Sequence, residues 1–120
     1  MKYNELTLHY FQTAPATGVL TGPDAYRGAA GDRAQGTWVQ FDLRVSGDII
    51  YTARFLAFAC PHTIAAAAWV AEHAGGPLSR TLPGGVQDLS ERFAVPPEKR
   101  GRLLIIEDAW VAAATIALQR

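Results

Sequence analysis

The chain has one cysteine, Cys60, among its 120 residues. No intrachain disulfide can form, which excludes a small secreted fold stapled by disulfides and favours a reducing, cytoplasmic setting. Charge of one sign is also lacking. The 11 basic residues balance the 11 acidic ones, and lysine is limited to Lys2 and Lys99 beside nine scattered arginines. Without a basic stripe, nucleic acid is not expected as a partner. The densest positive stretch, Lys99, Arg100 and Arg102, sits beside Glu98, Glu107 and Asp108. Its field is therefore mixed, as on a solvated or partner-docking face, and does not suit a phosphate site. No apolar run approaches bilayer length and the first residues carry no apolar leader, so neither export nor a membrane is expected. Internal repeats and low-complexity tracts are missing, as are the phosphate loop, the dinucleotide fingerprint, the nucleophile elbow and the two-His metal pattern.

Apolar material is plentiful. Hydrophobic residues make up 49% of the sequence, with three Trp, four Tyr and five Phe, enough to offset the entropy of ordering one core. The expectation is a single domain over residues 1–120. Leu6, Tyr10 and Phe11 recur at helical spacing after Asn4, a good N-cap, which predicts a short helix over Tyr3 to Phe11 lying on a sheet. Thr13 to Gly36 is rich in Gly and Pro and reads as loop with one short edge strand near Asp24 to Ala30. Val39, Phe41, Leu43 and Val45 alternate with Gln40, Asp42 and Arg44, the pattern of a half-buried antiparallel strand. Ser46, Gly47 and Asp48 supply a turn, and Ile49 to Phe58 completes a hairpin.

Pro61 suits the first turn of a helix. That helix runs through Ala65 to Ala68 to about Ala74, where Gly75, Gly76 and Pro77 stop it. A short helix from about Val86 follows, and a last one from about Pro97 or Leu104 to Leu118, apolar on nearly every side. Helix, antiparallel strands, then helices implies an α+β fold in which helices gather on one face of a small three-stranded antiparallel sheet.

Cys60 stands out chemically. It lies where a strand gives way to a helix, so the positive end of the helix dipole favours its thiolate, the form that binds metal or attacks. His62, two residues on, is the candidate second metal ligand or cationic neighbour. The plainer alternative makes Cys60 a small buried hydrophobe and His62 a helix-surface residue. With no orienting third residue beside Cys60 and His62, a thiol enzyme is not the expectation. Glu107 and Asp108 point about 100° apart on a helix and form no dyad; they read as acids near a helix start. His9 and His73 are isolated.

The stretch from Asp48 to Glu72 reads DIIYTARFLAFACPHTIAAAAWVAE. It resembles the central motif of the U-type iron–sulfur cluster assembly scaffolds, the IscU/NifU N-terminal family, in which an Ala-Arg-Phe strand leads to an aromatic, a Gly and a Cys and then to an Ala-rich helix. Ala53, Arg54, Phe55, Phe58, Cys60, Ile64, Ala65 and Trp69 fall on that frame, with Ala59 and Pro61 where the family has Gly. Tyr3 to Tyr10 is similar to the family's first helix. Val95, Pro96, Pro97, Glu98 and Lys99 look like the segment read by its Hsp70-type chaperone, and Glu107, Asp108 and Ala109 match its last helix. The resemblance implies a SufE/NifU-like fold, cluster or iron binding, and a cysteine desulfurase or chaperone as partner.

The departures are as informative. The family holds its cluster or a zinc ion with three cysteines and nearby Asp and His. Here Gln35 stands at the first cysteine position, Thr37 at the Asp, Gly101 at the His and Arg102 at the third cysteine. Cys60 and His62 are the candidate metal residues that remain. One thiolate cannot supply the four ligands of a 2Fe–2S cluster. Three readings stand: a homodimer pooling two Cys60 sulfurs with outside thiols, transient cluster or persulfide binding at Cys60, or a metal-free module docking on the assembly machinery.

Overall fold

The computed structural model describes residues 2–120. Asn4 caps the first helix, α1 (Glu5–Thr13), its side chain accepting from the Thr7 N–H at 2.8 Å. Ala14, in the left-handed region at φ 37°, closes the other end. The apolar stripe of α1 packs on the next helix rather than on the sheet as expected, because that helix lies between them. Thr7 donates from Oγ1 to the Phe93 carbonyl at 3.0 Å, and the Tyr10 hydroxyl donates to Glu72 Oε1 at 2.6 Å.

Four antiparallel strands follow in meander order: β1 (Ala25–Asp32), β2 (Thr37–Ser46), β3 (Ile49–Phe58) and β4 (Gly76–Pro77). The expected three-stranded sheet thus gains a fourth member. β4 pairs only with Ile49 and Ile50, and two residues are too short to show any period in a sequence. The β2–β3 hairpin turns at Gly47, whose φ of 59° suits glycine.

One face of the sheet carries α2 (Pro61–Glu72) and α4 (Gly101–Leu118). Val39, Phe41 and Leu43 are fully buried there, facing the alanine-rich side of α4 at Ala109, Ala113 and Ala117. The approach is close because β1 has glycine at the crossing: a Cβ on Gly28 would sit 2.1 Å from the Ala113 nitrogen. A short helix, α3 (Gly85–Arg92), and a 3-10 turn over Pro97–Lys99 lead into α4. Since α4 starts at Gly101, Glu107 and Asp108 are past its first turn and outside the reach of the helix dipole, contrary to the expectation that they lie near a helix start. Among the described residues no helix is long and apolar enough to cross a membrane.

β2 is buried on both faces rather than half-buried. Residues 14–24 form a strap over the outer face: Ala16 and Gly18 bond to Phe55 on the β3 edge at 2.9 Å each, and the Leu20 N–H donates to Asp42 Oδ2 at 2.8 Å. Asp42 is 1% exposed under this strap. Arg27 donates to its two oxygens at 2.8 and 3.0 Å, so the buried carboxylate is paired and hydrogen-bonded.

Candidate functional site around Cys60

β3 ends at Phe58, and Cys60 takes the N-cap of α2 with extended backbone at φ −73°, ψ 163°. Pro61 supplies the first helical position and the Ile64 N–H reaches the Cys60 carbonyl at 3.0 Å, so the helix opens directly after the cysteine. The thiol is half-buried. Its sulfur lies 3.4 Å from Thr63 Oγ1. Arg102, the second residue of α4, is near enough to act on the same thiol. Burial alone raises the thiol pKa. The Thr63 hydroxyl and backbone N–H, and then the hydrogen bond and charge of Arg102, outweigh it and hold the thiol below its ordinary value. The site therefore makes the thiol more acidic than a free cysteine.

His62 is 2% exposed, so it is not the helix-surface residue of the plainer reading. Its ring meets Tyr3 edge-on with centroids 4.6 Å apart. Its Nδ1 is buried without a hydrogen-bond partner. Burial lowers the imidazole pKa most, and the charges of Lys99 and Arg102 lower it further, so His62 stays neutral.

The pairing of Trp38 with Phe58 brings the start of β2 to the same end of the sheet as Cys60. Gln35 is exposed there in a 3-10 turn, Thr37 is buried at the first residue of β2, and Gly101 is exposed at the start of α4. Among the described residues no three His, Cys, Asp or Glu side chains gather where they could hold a metal ion. A single cysteine supplies one metal donor, so the described residues of one chain do not by themselves offer the four ligands of a cluster. The Val95–Lys99 segment is split: Val95 is buried at 5% exposure, while Pro97 and Glu98 face outward and Lys99 turns toward His62.

Of the two residues acting on the thiol, Thr63 escaped the sequence reading altogether and Arg102 did so only in its direction. Thr63 carried a usable signal, since the third helical position faces back to an N-cap. Arg102 was singled out by position, but its direction depends on how α4 crosses α2, which no local pattern encodes.

A family model described as the NifU-like N terminal domain matches residues 2–116, and the chain belongs to that scaffold family. "Iron sulfur cluster assembly protein 1" of Trachipleistophora hominis is 27% identical over 114 residues, covering 92% of this chain and 83% of that protein. The "Iron-sulfur cluster assembly protein IscU" of Plasmodium falciparum (isolate 3D7) is 30% identical over 80 residues, covering 66% of this chain and 49% of that protein, so the match spans about half its length. Among solved structures, the N-terminal part of a NifU-like protein from Brucella abortus superposes with a TM-score of 0.71 at 14% identity, covering 98% of this chain and 94% of that one. A putative iron–sulfur cluster assembly scaffold protein for the SUF system from Fervidobacterium islandicum AW-1 gives a TM-score of 0.72 at 14% identity, covering 93% and 96%. Likeness at such identity speaks for the fold.

Proposed function

We propose that this chain is an accessory, non-enzymatic member of the scaffold family that accepts and carries sulfur on Cys60 instead of assembling a cluster on its own ligands. The observation that carries the reading is the setting of Cys60: it caps α2 with Thr63 Oγ1 3.4 Å from its sulfur, and Arg102, at the third cysteine position of the resemblance, is a cation that helps lower its thiol pKa. A guanidinium there stabilises the attacking thiolate and, after transfer, the anionic outer sulfur of a persulfide. In the step, the Cys60 thiolate attacks the outer sulfur of a cysteine persulfide on a donor protein. A sulfur–sulfur bond forms at Cys60, the donor's sulfur–sulfur bond breaks, and the donor leaves as a thiolate, with no net oxidation. A cysteine desulfurase is the donor that this chemistry calls for. The outward Pro97 and Glu98 offer a docking segment for an Hsp70-type chaperone, and the single free thiol fits a reducing cytoplasm. His62, buried against Tyr3, serves as packing for the α2 start in this reading and not as a metal ligand.

Incubation with a cysteine desulfurase and cysteine, followed by intact mass measurement, tests the reading. The expected result is a gain of one sulfur atom, lost in Cys60→Ser and slowed in Arg102→Gln. No added sulfur, with chaperone binding by the full chain intact, would leave a metal-free docking module in its place.

A further inference from the structure

The outer edge of β3 is only partly covered. β4 takes it at Ile49 and Ile50, and the strap takes it at Phe55, whose N–H and C=O both point outward to Ala16 and Gly18. Backbone groups alternate sides along a strand, so the N–H and C=O of Ala57, two residues on, point the same way. The strap has left the edge by then to cross to Asp42. Beside Ala57 lies a groove of about 490 Å³, lined by Phe11, Ile64, Trp38 and Phe58. Phe58 is 54% exposed and Phe11 39%. Arg33, also on its wall, holds its guanidinium 4.5 Å from the Trp38 ring centre and has no carboxylate partner among the described residues.

We infer that this groove docks an extended segment of a partner protein, which adds to β3 as a strand at Ala57, lays apolar side chains on the aromatic walls and gives a carboxylate to Arg33. The three features ask for three different things of one occupant. An unpaired strand edge asks for extended backbone, the walls ask for apolar side chains, and an unpartnered guanidinium asks for a carboxylate. A compact small molecule answers one or two of these; an acidic, apolar strand answers all. The segment would run past Phe58 toward the start of α2, where Ile64 is one turn beyond Cys60. Docking does not depend on sulfur chemistry, so Cys60→Ser separates the two ideas.

The test uses the full chain with an end-capped, fluorescein-labelled peptide of sequence Ser-Val-Glu-Val-Ile-Ser and its counterpart with Lys for Glu. Fluorescence anisotropy should show the Glu peptide binding about tenfold tighter than the Lys peptide, the weight of one charge-assisted hydrogen bond. Arg33→Glu, at an exposed position, should reverse that order, and Cys60→Ser should leave it unchanged. In amide NMR spectra the Ala57 N–H should shift on binding. Equal affinity for both peptides, no binding of either, or shifts that avoid Ala57 would overturn the inference. So would concentration-dependent self-association abolished by Phe58→Ser, which would assign the groove to a second copy of the chain.

Discussion

Gly28→Ala puts a methyl group where two backbones nearly touch. The new Cβ would lie 2.1 Å from the Ala113 nitrogen and 2.6 Å from the Ala112 carbonyl carbon, whereas ordinary contact begins near 3.4 Å. Neither obstacle can rotate away, so β1 and α4 must part by about 1.3 Å, enough to forfeit much of the dispersion attraction along that crossing. Overpacking of a core costs about 1–3 kcal/mol, and a clash with rigid backbone belongs at the top of that range, about 3 kcal/mol. With a urea dependence of about 1.5–2 kcal/mol per molar for a chain of this size, the unfolding midpoint should fall by about 1.5–2 M. Gly101→Ala is the control: a Cβ there would meet no atom within 4 Å, and its φ is not left-handed. Replacing a helical glycine there should raise stability by about 0.5–1 kcal/mol. A Gly28→Ala midpoint close to the parent's would refute the close packing of α4 on β1.

Arg102→Gln should raise the Cys60 thiol pKa and slow alkylation by iodoacetamide at neutral pH, while Arg102→Lys keeps part of the rate; an unchanged rate–pH profile would show that the guanidinium does not act on the sulfur. The Tyr10 phenol is pushed up from 10.0 to about 12 by burial and then by the hydrogen bond and charge of Glu72. Because the folded value is the higher one, this contribution to stability is complete below pH 10.0 and is lost as pH rises toward about 12. Tyr10→Phe should flatten that alkaline decline in urea unfolding curves. Asp42→Ala strands the Leu20 N–H and half-exposed Arg27, and should cost about 2–3 kcal/mol with faster hydrogen exchange at Leu20.

Much of the fold was legible because its signals are local. Asn4 as cap, the alternation from Val39 to Val45, the Gly47 turn and Pro61 at a helix start each declare an element within a few residues. Long-range contacts were not. β4 is visible only through its pairing with Ile49 and Ile50, and the burial of Gln40 and Asp42 depends on a strap more than twenty residues away whose own sequence is merely Gly- and Pro-rich. At the site, Cys60 at the mouth of α2 followed from Pro61 and the alanine run. The burial of His62 did not, since it needs Tyr3, just ahead of α1, set edge-on against its ring. The same limit applied to Arg102, whose meaning changes from a lost ligand to a thiolate partner once its direction is known.

In the proposed role Cys60, with Arg102 beside it, carries sulfur and not a cluster. Anaerobic reconstitution of the purified chain with ferrous iron and sulfide, followed by desalting and measurement of iron per chain with the visible absorption spectrum, tests it most directly. A colourless protein with negligible bound iron is expected. Stoichiometric iron with cluster absorption, lost in Cys60→Ser, would contradict it.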